Sequence, residues 1–185
     1  MGKLTLAQVL IDLGVSRGDR VGIYMNKGLE SAVAIYGIMK AGCAYVPLDP
    51  FAPVGRIGYV IKDCGIRHLI SNPAKLDSLR QILADGSPVQ HIVGVGAQED
   101  LQVNCVLWDD VNLATDKLPS LNLTEQDLAY ILYTSGSTGV PKGIMHTHRS
   151  GLSFAEWGAK TYELTLEDRL SNHAPLHFDL STFDF

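Results

Sequence analysis

The sequence has no run of basic residues, and its formal net charge is −5, from 15 Lys and Arg against 20 Asp and Glu. That balance gives no electrostatic footing for nucleic acid or an anionic membrane surface, so a phosphate ligand must be held by local chemistry. Cysteine is scarce. Cys43, Cys64 and Cys105 are odd in number, far apart and without a Cys-x-x-Cys pair, and they read as reduced residues of core or helix. Long hydrophobic runs are missing as well. The apolar stretch 4–13 is interrupted by Thr5, Gln8 and Asp12 and has no small-residue cleavage site. It is therefore neither a signal peptide nor a membrane span, and a cytoplasmic location is expected. Internal repeats and low-complexity tracts are absent too.

What remains is an ordinary globular composition, 46% hydrophobic and 19% charged over 185 residues, enough for one domain with a real core. Leu6, Val9, Leu10 and Leu13 recur at helical spacing before a capping Gly14. Strand patterns follow at 20–25, 44–46, 66–71 and 91–95, separated by helical patterns at 28–41, 54–63 and 73–84. In the first of these Leu29, Val33, Tyr36, Ile38 and Met39 make the apolar set. The alternation predicts an α/β fold, a parallel or mixed sheet flanked by helices. An edge strand is expected at 105–108, with Asp109 and Asp110 capping a short helix. Residues 114–122, with Pro119, read as a linker, dividing the chain into a first α/β subdomain over 1–117 and the start of a second over 118–185. Beyond it, strands are expected at 128–133, 143–147 and 170–174, and a helix at 148–163.

The most informative stretch starts at Leu128. Six apolar and β-forming residues break abruptly into Thr134-Ser-Gly-Ser-Thr-Gly-Val-Pro-Lys-Gly143. Thr134, Ser135, Ser137 and Thr138 supply four hydroxyls within five residues, while Gly136 and Gly139 let the backbone turn its N–H groups toward a ligand. Lys142 adds a point charge with three rotatable donors. This is anion-binding chemistry. It is not a Walker loop, since Lys142 follows Pro141 and precedes Gly143. Nor is it a nucleophile elbow, because Ser135 stands where the first glycine belongs, and the Gly-x-Gly-x-x-Gly fingerprint is missing.

Tyr133-Thr-Ser-Gly-Ser-Thr-Gly-Val-Pro-Lys-Gly143 resembles the nucleotide-binding signature of the adenylate-forming superfamily of acyl-CoA synthetases, nonribosomal peptide adenylation domains and luciferases. Arg17-Gly-Asp-Arg-Val-Gly-Ile-Tyr24, Lys40-Ala-Gly-Cys-Ala-Tyr-Val-Pro-Leu-Asp-Pro50 and Phe178-Asp-Leu-Ser181 resemble further blocks in the family's order. The resemblance implies part of the large N-terminal domain of such an enzyme. Residues Thr134, Ser135, Gly136, Ser137, Thr138, Gly139, Lys142 and Gly143 would bind ATP, with Lys142 catalytic. Pro47-Leu-Asp-Pro50 and the Thr-Ser-Gly-Ser-Thr-Gly form look most like amino-acid-activating domains, which implies an amino acid as the carboxylic substrate and a carrier-protein thiol as acceptor. Asp179 then matches the aspartate that meets the substrate's α-amino group, and Phe178, Leu180 and Phe183 match its pocket neighbours. Asp179 also reads as the N-cap of a helix running on to Phe185, with Ser181 and Thr182 in its first turn, and the two roles can hold together. Two other readings stay open: an acyl-CoA or aryl-CoA ligase with CoA as acceptor, and a nonenzymatic nucleotide- or phosphate-binding module, or half-enzyme, that needs a partner chain. The resemblance also implies Mg²⁺, although the block that carries its usual ligand has no counterpart here. A fragment clipped at both ends, inactive alone and prone to self-association, is the expectation.

Other residues take plainer readings. His146 and His148 lack a third ligand, and no metal site is predicted. His173 and His177 flank the expected pocket. Asp49 and Arg56 read as a local ion pair, and Trp108 and Trp157 as packing residues.

Overall fold

The computed structural model describes residues 2–113, 121–134 and 139–184. Strands β1 (Arg20–Tyr24), β2 (Ala44–Pro47), β3 (His68–Ser71), β4 (His91–Val93), β5 (Asn104–Val106), β6 (Leu128–Thr134) and β7 (Lys142–Thr147) form one sheet in the order β5-β4-β3-β1-β2-β6-β7. All pairs are parallel except β6–β7, which is antiparallel. The central strands are buried along nearly their whole length, because a parallel sheet needs helices on both faces.

Residues of opposite parity feed two cores. On one face Val21, Ile23, Tyr45, Ile70, Val93, Tyr130 and Leu132 meet helices α1 (Gly2–Asp12), α2 (Leu29–Lys40) and α5 (Trp108–Leu113). On the other, Val46, Leu69, Ile92 and Ile131 meet α3 (Val54–Cys64) and α4 (Leu76–Ala84), the latter entered through a 3₁₀ turn at Pro73–Lys75. This is the period-2 alternation of a strand expressed as two layers. Helix α6 (His148–Thr161) begins at Thr147, whose hydroxyl accepts the Ser150 N–H, and α7 (Ser181–Asp184) is a single turn.

Several expectations change. Leu29 opens α2 but is 78% exposed, since the apolar stripe of that helix runs through Ala34, Ile35 and Ile38. Asp109 and Asp110 lie inside the first turn of α5 rather than capping it. Residues 170–174 form no strand: 170–173 are exposed and have no ladder partner. Trp157 is half exposed, in a loose aromatic group with Phe154 and Tyr162. The proposed boundary between 117 and 118 falls outside the described residues, and β6 joins the sheet directly beside β2.

Candidate functional site

The β6–β7 hairpin carries the polar loop. Thr134 ends β6 and pairs with Lys142, which starts β7, so both feet of the loop are held in one ladder. Ser135, Gly136, Ser137 and Thr138 lie outside the described residues. Gly139 has φ +80°, the left-handed conformation that glycine adopts without steric cost, and open space surrounds its Cα. Lys142 and Gly143 are exposed.

A cavity of about 490 Å³ opens beside the foot of this loop. Its walls come from Pro47, Leu48 and Asp49 at the end of β2; Arg56, Ile57 and Val60 of α3; Leu132, Tyr133 and Thr134 at the end of β6; Ile144 and His146 of β7; and His177, Phe178 and Asp179. The carboxyl ends of parallel strands are where α/β sheets bind ligands, because the loops leaving them diverge there.

Of the expected site residues, Thr134, Phe178 and Asp179 therefore share one cavity, while Leu180 and Phe183 do not line it. Leu180 is exposed, and Phe183 turns toward Phe154 and Tyr162 and sits so close to Gly158 that a Cβ there would overlap its ring. Asp179 is itself exposed, so its carboxylate needs no ammonium to offset burial. Its Oδ1 accepts the adjacent Leu180 N–H at 2.9 Å, and its carbonyl accepts the Thr182 hydroxyl at 2.6 Å. The capping alternative thus survives only as a local bond at the approach to α7.

The imidazoles of the wall are shifted toward their neutral forms. Burial lowers the His146 pKa, and nearby Asp179 opposes the effect only in part. Burial likewise lowers His177, against the pull of Asp49, with Arg56 adding to the lowering. Asp49 Oδ2 stands 3.7 Å from His177 Nε2, an electrostatic contact too long for a hydrogen bond. Its Oδ1 accepts the Phe51 N–H, and no Asp49–Arg56 ion pair forms among the described residues, contrary to the local pairing expected. Arg56 instead faces the cavity, as sequence adjacency alone could not reveal. His173 is exposed and apart from it, and His146 stacks on Tyr130 with centroids 4.5 Å apart. Tyr133 ties the loop's base to α3 by donating to the Asp63 carboxylate, with Cys64 Sγ 3.2 Å from its hydroxyl; burial first, then that carboxylate, pushes the phenol pKa up.

Chemically, the arrangement offers two carboxylates, a guanidinium and a hydroxyl around an apolar floor. No cysteine or serine among the described residues lines it. No group of three or more His, Cys, Asp or Glu gathers among the described residues to hold a metal, and no helix among them is long and apolar enough to cross a membrane.

Known proteins share this architecture. The L-proline--[L-prolyl-carrier protein] ligase of Pseudomonas fluorescens is 34% identical over 176 residues, covering 95% of this chain and 34% of that protein. The chain thus spans about a third of that relative's length. A nonribosomal peptide synthetase, FmoA3, solved with α-methyl-L-serine-AMP bound, superposes with a TM-score of 0.78 at 28% identity, over 99% of this chain and 18% of that one. An anthranilate CoA ligase, AuaEII, solved with anthranoyl-AMP, gives 0.77 at 28% identity over 85% of this chain and 30% of that one. The match to the family described as AMP-binding enzyme runs from residue 4 to residue 185, across every strand of the sheet, and the chain belongs to that family.

Proposed function

We propose that this chain contributes the phosphate loop and one wall of the acid pocket to an enzyme that activates an amino acid with ATP, giving an aminoacyl-adenylate and pyrophosphate for transfer to a carrier-protein thiol. The observation that carries the reading is that Thr134, at the foot of the loop, and Asp179 line a single cavity. A substrate there lies between a phosphate-binding turn and a carboxylate.

In this reaction the substrate carboxylate oxygen attacks the α-phosphorus and the bond to the β-phosphate oxygen breaks, with the electron pair leaving on pyrophosphate. The loop's N–H and hydroxyl donors and Lys142 hold the β- and γ-phosphates as charge develops on them, which is stabilisation by positioned donors. Asp179 meets the ammonium: its Oδ1 already accepts Leu180 N–H, and no hydrogen bond from the described residues reaches Oδ2. Burial disfavours the cationic forms of His146 and His177, which weakens their competition for that carboxylate. The family resemblance implies Mg²⁺ with ATP, and the described residues gather no group of three or more His, Cys, Asp or Glu for it.

The proline ligase relative supports the amino-acid and carrier-thiol reading, and the anthranilate CoA ligase neighbour supports the second reading of an aryl acid passed to CoA. ATP–pyrophosphate exchange by the full-length polypeptide, run against amino, aryl and fatty acids, decides between them. Exchange that requires an amino acid is the expected result. Exchange with an aryl or fatty acid replaces it with the second reading, and ATP binding without exchange on any acid leaves a nonenzymatic module.

A further inference from the structure

The segment that brings His177, Phe178 and Asp179 to the cavity belongs to no strand, yet its shape is closely defined. Asp184 Oδ2 accepts the Ala174 N–H at 2.8 Å, and the buried Ser181 hydroxyl donates to the Leu176 carbonyl at 3.0 Å, so the segment closes on itself twice. Lys27, from the turn between β1 and α2, then fastens it to the sheet. Its Nζ donates to the carbonyls of Asn172 at 2.8 Å and Ala174 at 2.5 Å, and lies 3.2 Å from Asp184 Oδ2. Three acceptors in one segment match the three protons of one ammonium. The side chains of Lys27 and Asp184 are only 23% and 12% exposed, so solvent screens the pair weakly. Asn172 holds φ +46°, a left-handed conformation that asparagine adopts more readily than other non-glycine residues, and its carbonyl is one of those Lys27 takes.

We propose that Lys27, acting through Asp184, is a positioning residue for the substrate's ammonium: it fixes 172–184 so that Asp179 faces the bound amino acid. Neither Lys27 nor Asp184 lines the cavity. Their effect passes through the backbone between Ala174 and Asp184. The assignment rests on the amino-acid reading of the pocket, and one of its two readouts does not.

The test uses the full-length polypeptide with Lys27→Met, Lys27→Arg, Asp184→Asn and the Lys27→Met/Asp184→Asn pair. Lys27→Met should raise the amino acid KM in pyrophosphate exchange by about tenfold or more, with kcat and the ATP KM within about twofold, because orientation at one subsite is lost while the phosphate loop is untouched. Lys27→Arg should recover most of the loss. The double variant should be no worse than Lys27→Met alone, as expected of residues acting as one unit. Hydrogen exchange supplies the independent readout: the Ala174 amide should lose protection in Lys27→Met while the amides of β1 and β3 keep theirs. An unchanged amino acid KM in an active Lys27→Met enzyme, or an unchanged Ala174 amide, overturns the proposal. So does a parallel rise of both KM values with protection lost in β1, which marks a general structural role. If the wild-type polypeptide exchanges pyrophosphate with no acid, the proposed function fails, and the Ala174 amide alone decides whether Lys27 holds the segment.

Discussion

Lys142 stands exposed at the first position of β7, with its ladder partner Thr134 fixing where its stem begins. In the proposed reaction, an exposed side chain anchored at its base can follow the departing pyrophosphate. Lys142→Ala in the full-length polypeptide should therefore slow pyrophosphate exchange by roughly 10²–10³, the loss typical of removing one transition-state donor, with a much smaller change in the ATP KM. Unchanged exchange would remove Lys142 from the mechanism. Asp179→Ala should instead raise the amino acid KM by about tenfold, the scale of a hydrogen bond to a charged group, and a loss confined to kcat would argue against an ammonium contact. The loop's anion-binding chemistry, with Lys142, could be proposed from the sequence because hydroxyls, glycines and a lysine in a few residues are a local chemical statement. Leu180 and Phe183 were not, because the way a one-turn helix faces is decided by the aromatic group of α6 against which Phe183 rests. Arg56 was misread for a similar reason. Its neighbour in sequence, Asp49, is engaged by the Phe51 N–H and by His177 from a distant part of the chain.

Elements with strong periodicity or β-branched runs were readable, and those defined by partners were not. The buried strands and α3 stand within a few residues of their expected limits, since burial on both faces writes itself as continuous apolar sequence. Residues 170–174 look extended in isolation, but a strand exists only with a neighbour to bond. The hairpin that carries the loop is braced at its base by Tyr133, whose hydroxyl reaches Asp63 and Cys64 of α3. Tyr133→Phe should cost roughly 1.5–3 kcal/mol, the net worth of a hydrogen bond to a charged acceptor, read as a lower urea midpoint at constant slope. An unchanged midpoint would mean that the ring's packing alone secures the loop.

For the molecule as a whole, stability should decline in mild acid. His91 in β4 stacks on His68 with centroids 4.7 Å apart, and burial, then the charges of His68 and Arg67, lowers its pKa. The unfolded chain, with an ordinary value of about 6.5, binds that proton more readily, so the contribution is intact above this pH and lost as pH falls below it. His146 and His177 act with the same sign. His91→Gln should flatten part of the fall in urea midpoint below about pH 6.5, and a slope identical to wild type would place the sensitivity elsewhere. Ile144 and Met145 on the edge strand β7, with Leu152, Trp157 and Leu166 nearby in sequence, leave much apolar surface in water. Residues 1–185 alone should associate as concentration rises in sedimentation velocity, and Met145→Lys should weaken it; a monomer at all concentrations would refute this. The sheet also has an unequal joint. Strands β1 to β5 come from residues 20–106 and the hairpin from 128–147, and the two meet where Tyr45 stands opposite Tyr130. Contacts this far apart in sequence form later than local ones, so this joint is expected to close after the strands of 20–106 have paired. The cavity spans it, with Pro47 to Asp49 on one side and Leu132 to Thr134 on the other. A molecule lodged there acts as a rivet across the joint, and its affinity includes the work of keeping β2 and β6 together.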